Sequence, residues 1–326
     1  MNIIFATDDR FIRPTALAMD SLITCNPHEK FHFYVLTETL EQKNKEILQQ
    51  ILQQHSMNTC LDYCYLSEKV LTEFPVRKGD HISLATYYRI FIPSLLPESV
   101  HKVLYLDGDI LCTDSIRSFY ETNLSDYSTA AVFDNLVANK DVYSRLEYPL
   151  QNGYAGAGVL LINLDWWRKN NVQEKAVAFI SEFPEKCRWH DQDALNKILN
   201  GTILFCPLRY NVYTQLYERK SEYPESFANE IADAIAHPVI VHFSTSAKPW
   251  HIESAHPFRT IWRRLYEMIF HTKCKLTHKY TGKIRFLRTL KYIIDKLGIK
   301  KYKEFKEYPE YDAIKKEIEQ KLLGNR

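Results

Sequence analysis

The chain has 326 residues, of which 45% are apolar and 25% charged, and this composition excludes a disordered or fibrous protein. The formal net charge is only +2, but residues 271–326 hold 16 basic against 7 acidic side chains, and the remainder holds 26 against 33. An acidic body argues against a nucleic-acid-binding protein. The basic tail is expected to meet an anionic surface.

Targeting signals and cysteines suggest where the protein works. No apolar run is long enough to cross a bilayer, and the first residues lack the basic stretch of a secretory signal peptide. The seven cysteines are odd in number and scattered, as expected for thiols that stay reduced. We therefore expect a cytoplasmic protein.

Short apolar runs alternate with helical patterns along the first 265 residues. In chain order, the patterns predict strands at 2–7, 31–36, 101–106, 129–133, 158–164 and 238–243, and helices at 14–25, 42–54, 165–182 and 191–200. This alternation indicates an α/β fold with a mostly parallel, Rossmann-like sheet flanked by helices. Ligands of such sheets bind beyond the carboxyl ends of the strands, where Asp8, Asp107 and Asp134 stand.

The composition changes near residue 270, and we predict a catalytic body at 1–265 and a basic helical tail at 266–326. On a helical wheel, Leu290 and its apolar neighbours face away from Arg285, Arg288, Lys291 and Lys296. Two interpretations remain: the helix lies on an anionic membrane, at the inner face of the cytoplasmic membrane, or it packs its apolar face on the body. The basic surplus of the segment favours the membrane.

The central motif is Asp107-Gly108-Asp109, which directly follows the apolar run 103–106. Two carboxylates at the end of a buried strand suit Mn²⁺ or Mg²⁺ shared with a diphosphate. Gly108 lets the backbone turn closely between them. Taken alone, the spacing is also typical of surface acids and turns.

Five segments, taken together and in order, resemble the motifs of retaining glycosyltransferase family 8, in particular those of the bacterial lipopolysaccharide galactosyl- and glucosyltransferases. They are residues 82–89 (ISLATYYR), 103–109, 158–164 (GVLLINL), 191–193 (DQD), and His242 with Lys248-Pro249-Trp250. The resemblance covers residues 2 to roughly 265. It implies a GT-A fold and transfer of galactose or glucose from a UDP-sugar to a saccharide acceptor, such as lipopolysaccharide, lipooligosaccharide or another surface glycan.

The resemblance also implies roles for individual residues. It assigns Asp107 and Asp109 to the metal together with His242, whose imidazole would favour Mn²⁺ over Mg²⁺. The implied donor and nucleotide contacts are Ala6, Thr7, Asp8, Arg89, Gly108, Asp134 and Lys248. The implied residues beside the transferred sugar are Asp191 and Gln192.

Each of these residues also has an ordinary explanation. Asp8 could cap a helix, Arg89 could form a surface ion pair, and His242 could be a buried structural histidine. Asp191 opens a predicted helix, where an acid is favourable without any catalytic role.

No carboxylate nucleophile stands where a double displacement would need one, so we expect a front-face substitution. In that reaction the diphosphate leaves, an oxocarbenium-like centre forms, and the acceptor hydroxyl attacks from the same side. Gln192 would steady the positive charge and Asp191 would hold donor hydroxyls. The leaving phosphate could itself take the acceptor's proton.

Two residues depart from the family pattern: Gly156 stands where an asparagine is expected, and Thr245 where a glycine is expected.

Three alternative functions compete with this interpretation. A sugar-phosphate nucleotidyltransferase or a nucleotide-sugar hydrolase would also use paired carboxylates, but the nucleotidyltransferase's glycine-rich phosphate loop is missing near the N-terminus. A non-catalytic membrane scaffold would not need Asp107, Asp109 and His242 together.

Overall fold

The structure, a computed structural model, describes residues 1–55, 59–67, 74, 84–218, 222–297, 299 and 310–324. Its strands are β1 Asn2–Ala6, β2 His32–Thr37, β3 Cys60–Tyr65, β4 Lys102–Leu106, β5 Ile110–Cys112, β6 Thr129–Ala131, β7 Val159–Asn163, β8 Ile203–Phe205, β9 Val212–Tyr213 and β10 Ile240–His242. Its α-helices are α1 Ile12–Cys25, α2 Gln42–Gln54, α3 Ile92–Leu95, α4 Arg117–Tyr120, α5 Lys140–Leu146, α6 Leu164–Lys169, α7 Val172–Glu182, α8 His190–Leu199, α9 Ala228–Ala236, α10 Arg259–Phe270, α11 Gly282–Lys296 and α12 Tyr311–Leu323.

The main sheet of the described residues has seven strands in the order β3-β2-β1-β4-β7-β6-β8. The pairs from β3 to β4 and the pair β6–β8 are parallel, while β7 is antiparallel to both of its neighbours. A smaller sheet has the strand order β5-β10-β9, and its strand β5 follows β4 directly in the chain. The predicted α/β fold with a mostly parallel sheet is confirmed.

The central strands are apolar because both of their faces are buried. In β1, Ile3 and Phe5 belong to one hydrophobic cluster and Ile4 to the other, and β4 repeats this alternation. Phe5 pairs with Leu106, so β1 and β4 end at the same level of the sheet. The polar residues that follow the two strands are therefore neighbours.

The predicted helix 165–182 is wrong in one respect, because it is two helices, α6 and α7. Asn171 adopts the left-handed conformation with φ of 52°, which ends one helix and starts the next. Asparagine tolerates this conformation better than most residues, so the local sequence permits the break. The strand β3 and the short strands β5, β8 and β9 were not predicted.

The two tail helices behave differently. On α12, Tyr311, Ile318 and Leu322 are buried in the body's core, and the helix packs against α1 and α10. On α11, Phe286 is 67% and Leu290 41% exposed.

The predicted boundary between body and tail, after residue 265, falls inside α10. None of the helices in the described part of the chain is both long and apolar enough to cross a bilayer.

Candidate active site

The site forms where β4 ends and the small sheet begins. β10 runs antiparallel to β5 and places His242 opposite Ile110, directly beside Asp109. Two backbone hydrogen bonds fix the motif: Asp107 donates to the Gly158 carbonyl (2.8 Å), and Phe243 donates to the Asp109 carbonyl (3.0 Å). Strand register alone therefore brings together residues 107 and 242, which are far apart in the sequence.

Asp107, Asp109 and His242 offer two carboxylate oxygens and one imidazole nitrogen that all lie within 4.8 Å of one another. His242 Nε2 is 3.3 Å from Asp109 Oδ1 and 3.7 Å from Asp107 Oδ2. These distances leave room for an ion between the three side chains. The predicted grouping of the three residues is thus present, and the donor set suits a divalent cation.

Asn211 orients the imidazole. Its side-chain oxygen lies 3.0 Å from His242 Nδ1, and because an amide oxygen only accepts, Nδ1 carries the proton. Nε2 is then the ring nitrogen that faces the two carboxylates and is placed to bind an ion with them. Such a partner behind a histidine ligand is typical of metal sites, so the site fits a metal better than it fits a structural histidine.

Gly158 allows the close approach of these groups. A Cβ atom at residue 158 would lie 2.4 Å from His242 Cε1 and 2.7 Å from Asp107 Oδ2. Any larger side chain would therefore push apart the carboxylate and the imidazole. This requirement explains the glycine that opens β7.

Lys248 reaches the metal side of the site. Its ammonium group pairs with Asp109 and donates to the Phe243 carbonyl at 2.7 Å. Burial by itself would raise the pKa of Asp109, but Lys248 and His242 outweigh this effect and hold the pKa below its ordinary value. Asp109 is consequently a carboxylate anion that can bind a cation.

Arg89 connects the metal side to the sugar side. Its guanidinium lies 3.4 Å from Asp107 Oδ1 and 2.7 Å from Asp191 Oδ2, and it stacks 4.6 Å from the Tyr105 ring centroid. It also donates to the Ala157 carbonyl. The arginine is buried, so the surface ion-pair interpretation is wrong.

Asp191, Gln192 and Asp134 line the other side. Thr86 donates to Asp191 Oδ1 at 2.9 Å. Gln192 accepts from the Ala157 amide at 2.9 Å, and its amide nitrogen lies 3.4 Å from Asp134 Oδ2. Both sides of Gln192's amide are thereby engaged, which fixes its orientation.

The residues after β1 lie beside Gly108. Thr15 donates to Thr7 at 2.9 Å, and a Cβ atom at Gly108 would lie 2.5 Å from the Thr15 hydroxyl oxygen. Asp8 accepts from the amides of Arg10 and Phe11, each at 2.9 Å, so its side chain closes the turn before α1. Asp8 therefore stabilises the turn before α1 but does not cap the helix, whose N-cap is Phe11. Ala6 ends β1 at the same level.

Three contributors were missed by sequence reasoning: Asn211, Gly158 as a packing requirement, and Tyr213, whose ring centroid lies 5.3 Å from that of His242. Asn211 precedes the two-residue strand β9 and Tyr213 ends it, and such a short element leaves no periodicity to detect.

The comparison with known proteins decides the family: the sequence model of glycosyl transferase family 8 matches residues 2–254. The chain belongs to glycosyl transferase family 8. It is 29% identical over 265 residues to General stress protein A of Bacillus subtilis, covering 79% of this chain and 90% of that protein. It is 28% identical over 262 residues to the lipopolysaccharide 1,3-galactosyltransferase of Salmonella typhimurium, covering 78% and 74%.

A solved structure shows the same fold. The galactosyltransferase LgtC, in complex with donor and acceptor sugar analogues, superposes with a TM-score of 0.74 at 23% identity, covering 88% of this chain and 100% of that chain. The predicted family, GT-A fold and enzyme class are confirmed, and this family 8 member is a glycosyltransferase.

We predict that Asn211→Ala weakens Mn²⁺ binding about 10- to 100-fold, because His242 loses the partner that sets its tautomer and orientation. Binding of the ion is measured directly by titration followed by electron paramagnetic resonance. Asn163→Ala, which removes an amide bonded to the Leu124 and Tyr127 carbonyls, is the matched control and should leave Mn²⁺ affinity unchanged. Equal affinity in both variants would contradict the role of Asn211.

Asp134 predicts a pH dependence of stability. Burial raises the pKa of its carboxyl to about 6, above the ordinary value of 3.8, so its contribution is fully present below pH 4 and is lost as the pH rises through 6. Asp134→Asn cannot ionise. The difference in free energy of unfolding between this variant and the wild type should therefore shift in favour of the variant by up to about 3 kcal/mol from pH 4 to pH 7. Urea unfolding of both proteins at the two pH values measures this shift, and the same difference at both pH values would contradict the prediction.

Proposed function

We propose that this enzyme transfers galactose or glucose from a UDP-sugar to a saccharide acceptor, with retention of the anomeric configuration. The observation that carries the proposal is the cluster of Asp107, Asp109 and His242, which suits a metal ion. Arg89 connects this cluster, through Asp107 and Asp191, to the polar residues Gln192 and Asp134, which suit a sugar. The relatives with lipopolysaccharide glucosyl- and galactosyltransferase names support a surface glycan or glycolipid as the acceptor.

The three ligands would hold Mn²⁺, with Mg²⁺ as the alternative, since imidazole beside two carboxylates favours the softer ion. When bound, the ion would offset the charge of the diphosphate and orient it as a leaving group. Lys248 already lies on Asp109 and would add a positive charge on the same side. Ala6, Thr7, Asp8 and Gly108 are proposed to contact the nucleotide.

The sugar side supports a front-face substitution. Asp191 is buried between Arg89 and Thr86, so its two oxygens already have partners and it is poorly placed to become a nucleophile. We assign it to positioning, together with Arg89. Gln192 has a fixed amide whose oxygen carries partial negative charge, and it would steady the oxocarbenium-like centre. Proton removal from the acceptor is left to the departing phosphate.

A panel of UDP-sugars with Mn²⁺ and an oligosaccharide acceptor tests the activity. We expect UDP release and an α-linked product from UDP-galactose or UDP-glucose. Asp109→Ala should reduce the rate at least about 100-fold, because it removes a ligand of the ion that stabilises the leaving group. Asp126→Ala removes an exposed acid and is the control. No UDP release and no Mn²⁺-dependent UDP binding would refute the proposal, while release of UDP without a product would indicate a hydrolase.

We also propose that α11 places the enzyme on an anionic membrane, at the inner face of the cytoplasmic membrane. Its exposed apolar side chains cannot be stabilised by the body, and basic residues on the same helix complement anionic headgroups. The interpretation that α11 packs its apolar face on the body is not supported, because that face is exposed. The exposed apolar residues are Ile284, Phe286, Leu287, Leu290, Ile293 and Leu297.

Point substitutions test this attachment better than truncation after residue 270. Such a truncation also removes α12, and it removes Thr277, whose backbone pairs with Trp250 and Ile252. Phe286→Ser combined with Leu290→Ser should lower binding to vesicles containing anionic lipid at least about tenfold, since it removes the apolar area that inserts. Leu150→Ser, at a 48% exposed site on the body, is the control. Equal vesicle binding by both would contradict the proposal.

A further inference from the structure

The wall of the site has no room for a side chain at residue 156. A Cβ atom built on Gly156 would lie 1.3 Å from the Tyr213 hydroxyl oxygen and 2.5 Å from Tyr213 Cζ. Even alanine would therefore require the ring to move. The amide of Gly156 donates to the Val132 carbonyl (3.0 Å), which ties this backbone to the segment before Asp134.

The hydroxyl of Tyr213 is buried and lacks a well-formed hydrogen bond. The residue is only 4% exposed, and among the described residues no hydrogen-bond partner of acceptable geometry reaches its oxygen. One polar neighbour is the side chain of Asn211, the residue before β9, which acts to lower the pKa of the phenol. The Asn211 oxygen is bonded to His242, and its amide nitrogen also has no partner of acceptable geometry. A buried polar group without a partner costs free energy, and a ligand group can remove that cost.

The position of Tyr213 joins the two halves of the site. Burial raises the pKa of its phenol well above the ordinary value, and the nearby carboxylates of Asp134 and Asp107 raise it further. The phenol is consequently a neutral hydrogen-bond donor between the sugar side and the metal side. Its ring also packs at a tilt against His242.

We propose that Tyr213 is a specificity-determining residue, whose phenol fills the space beside Gly156 and hydrogen-bonds the transferred sugar of the donor. The inference rests on the proposed function and adds a residue to it. Because the hydroxyl would meet the sugar and not the nucleotide, its loss should change the affinity for UDP-sugar and leave the affinity for UDP unchanged.

Tyr213→Phe removes only the hydroxyl. Isothermal titration with Mn²⁺ present should show about a fivefold to tenfold loss of affinity for UDP-galactose or UDP-glucose, and no change for UDP. Tyr217→Phe is the matched control, because Tyr217 is also fully buried with no partner for its hydroxyl among the described residues, yet packs against Phe258 and Tyr311.

The outcomes separate the two proposals. If the wild type binds neither UDP nor UDP-sugars, the proposed function fails and this inference fails with it. If the wild type binds both and Tyr213→Phe behaves like Tyr217→Phe, only the role of Tyr213 is overturned. An equal loss for UDP and UDP-sugar would also overturn it, because Tyr213 would then act through His242.

The packing half of the inference has its own test. Gly156→Ala should lower the melting temperature and weaken UDP-sugar binding. Tyr213→Ser removes the obstructing ring. The double variant Gly156→Ala, Tyr213→Ser should therefore have a melting temperature close to that of Tyr213→Ser alone. A Gly156→Ala protein as stable as the wild type, with an unchanged preference between UDP-galactose and UDP-glucose, would overturn the exclusion of side chains at residue 156.

Discussion

Concentrated negative charge beyond the carboxyl end of β4 is the constraint on which the rest of the site depends. Asp109, Asp134 and Asp191 are buried and Asp107 is partly buried, and buried carboxylates are costly unless cations or hydrogen bonds compensate them. Arg89 compensates two of them and Lys248 a third, while Asp134 is left with amide partners and a raised pKa. Asp107 and Asp109 still leave an excess of negative charge beside His242 Nε2. A divalent cation is the group that this imbalance suits.

The small sheet adds a third candidate metal ligand to the two carboxylates of Asp107 and Asp109. β10 supplies His242, and β9 supplies the packing against it, while the residue before β9, Asn211, fixes the tautomer. Two glycines make room for this layer, since a side chain at Gly158 would strike the imidazole and one at Gly156 would strike Tyr213. The departure at residue 156 thus has a physical cause: the space is already filled by the side chain of Tyr213 on β9.

The two helices of the tail have different roles. α12 completes the core through Ile318 and Leu322, and Lys321 forms an ion pair with Asp114 at 2.8 Å. α11 leaves its apolar side chains exposed. Both helices have an apolar face, but α11 carries five basic and one acidic residue while α12 carries three of each. Only their packing shows which one is part of the body.

The sequence by itself determined the α/β alternation, the position of Asp107-Gly108-Asp109 after a buried strand, and the family motifs, because these depend on local periodicity and short-range order. Only the tertiary structure decided the break at Asn171, the short strands β5 and β9, and the roles of Asn211 and Tyr213. The strands and the two residue roles arise from contacts between segments tens to hundreds of residues apart, and a two-residue strand has no pattern of its own. The break depends on the backbone conformation of one residue, which the apolar pattern does not report. Arg89 is a similar case. The family motif identified it as a site residue, but only the structure shows that it is buried between Asp107 and Asp191.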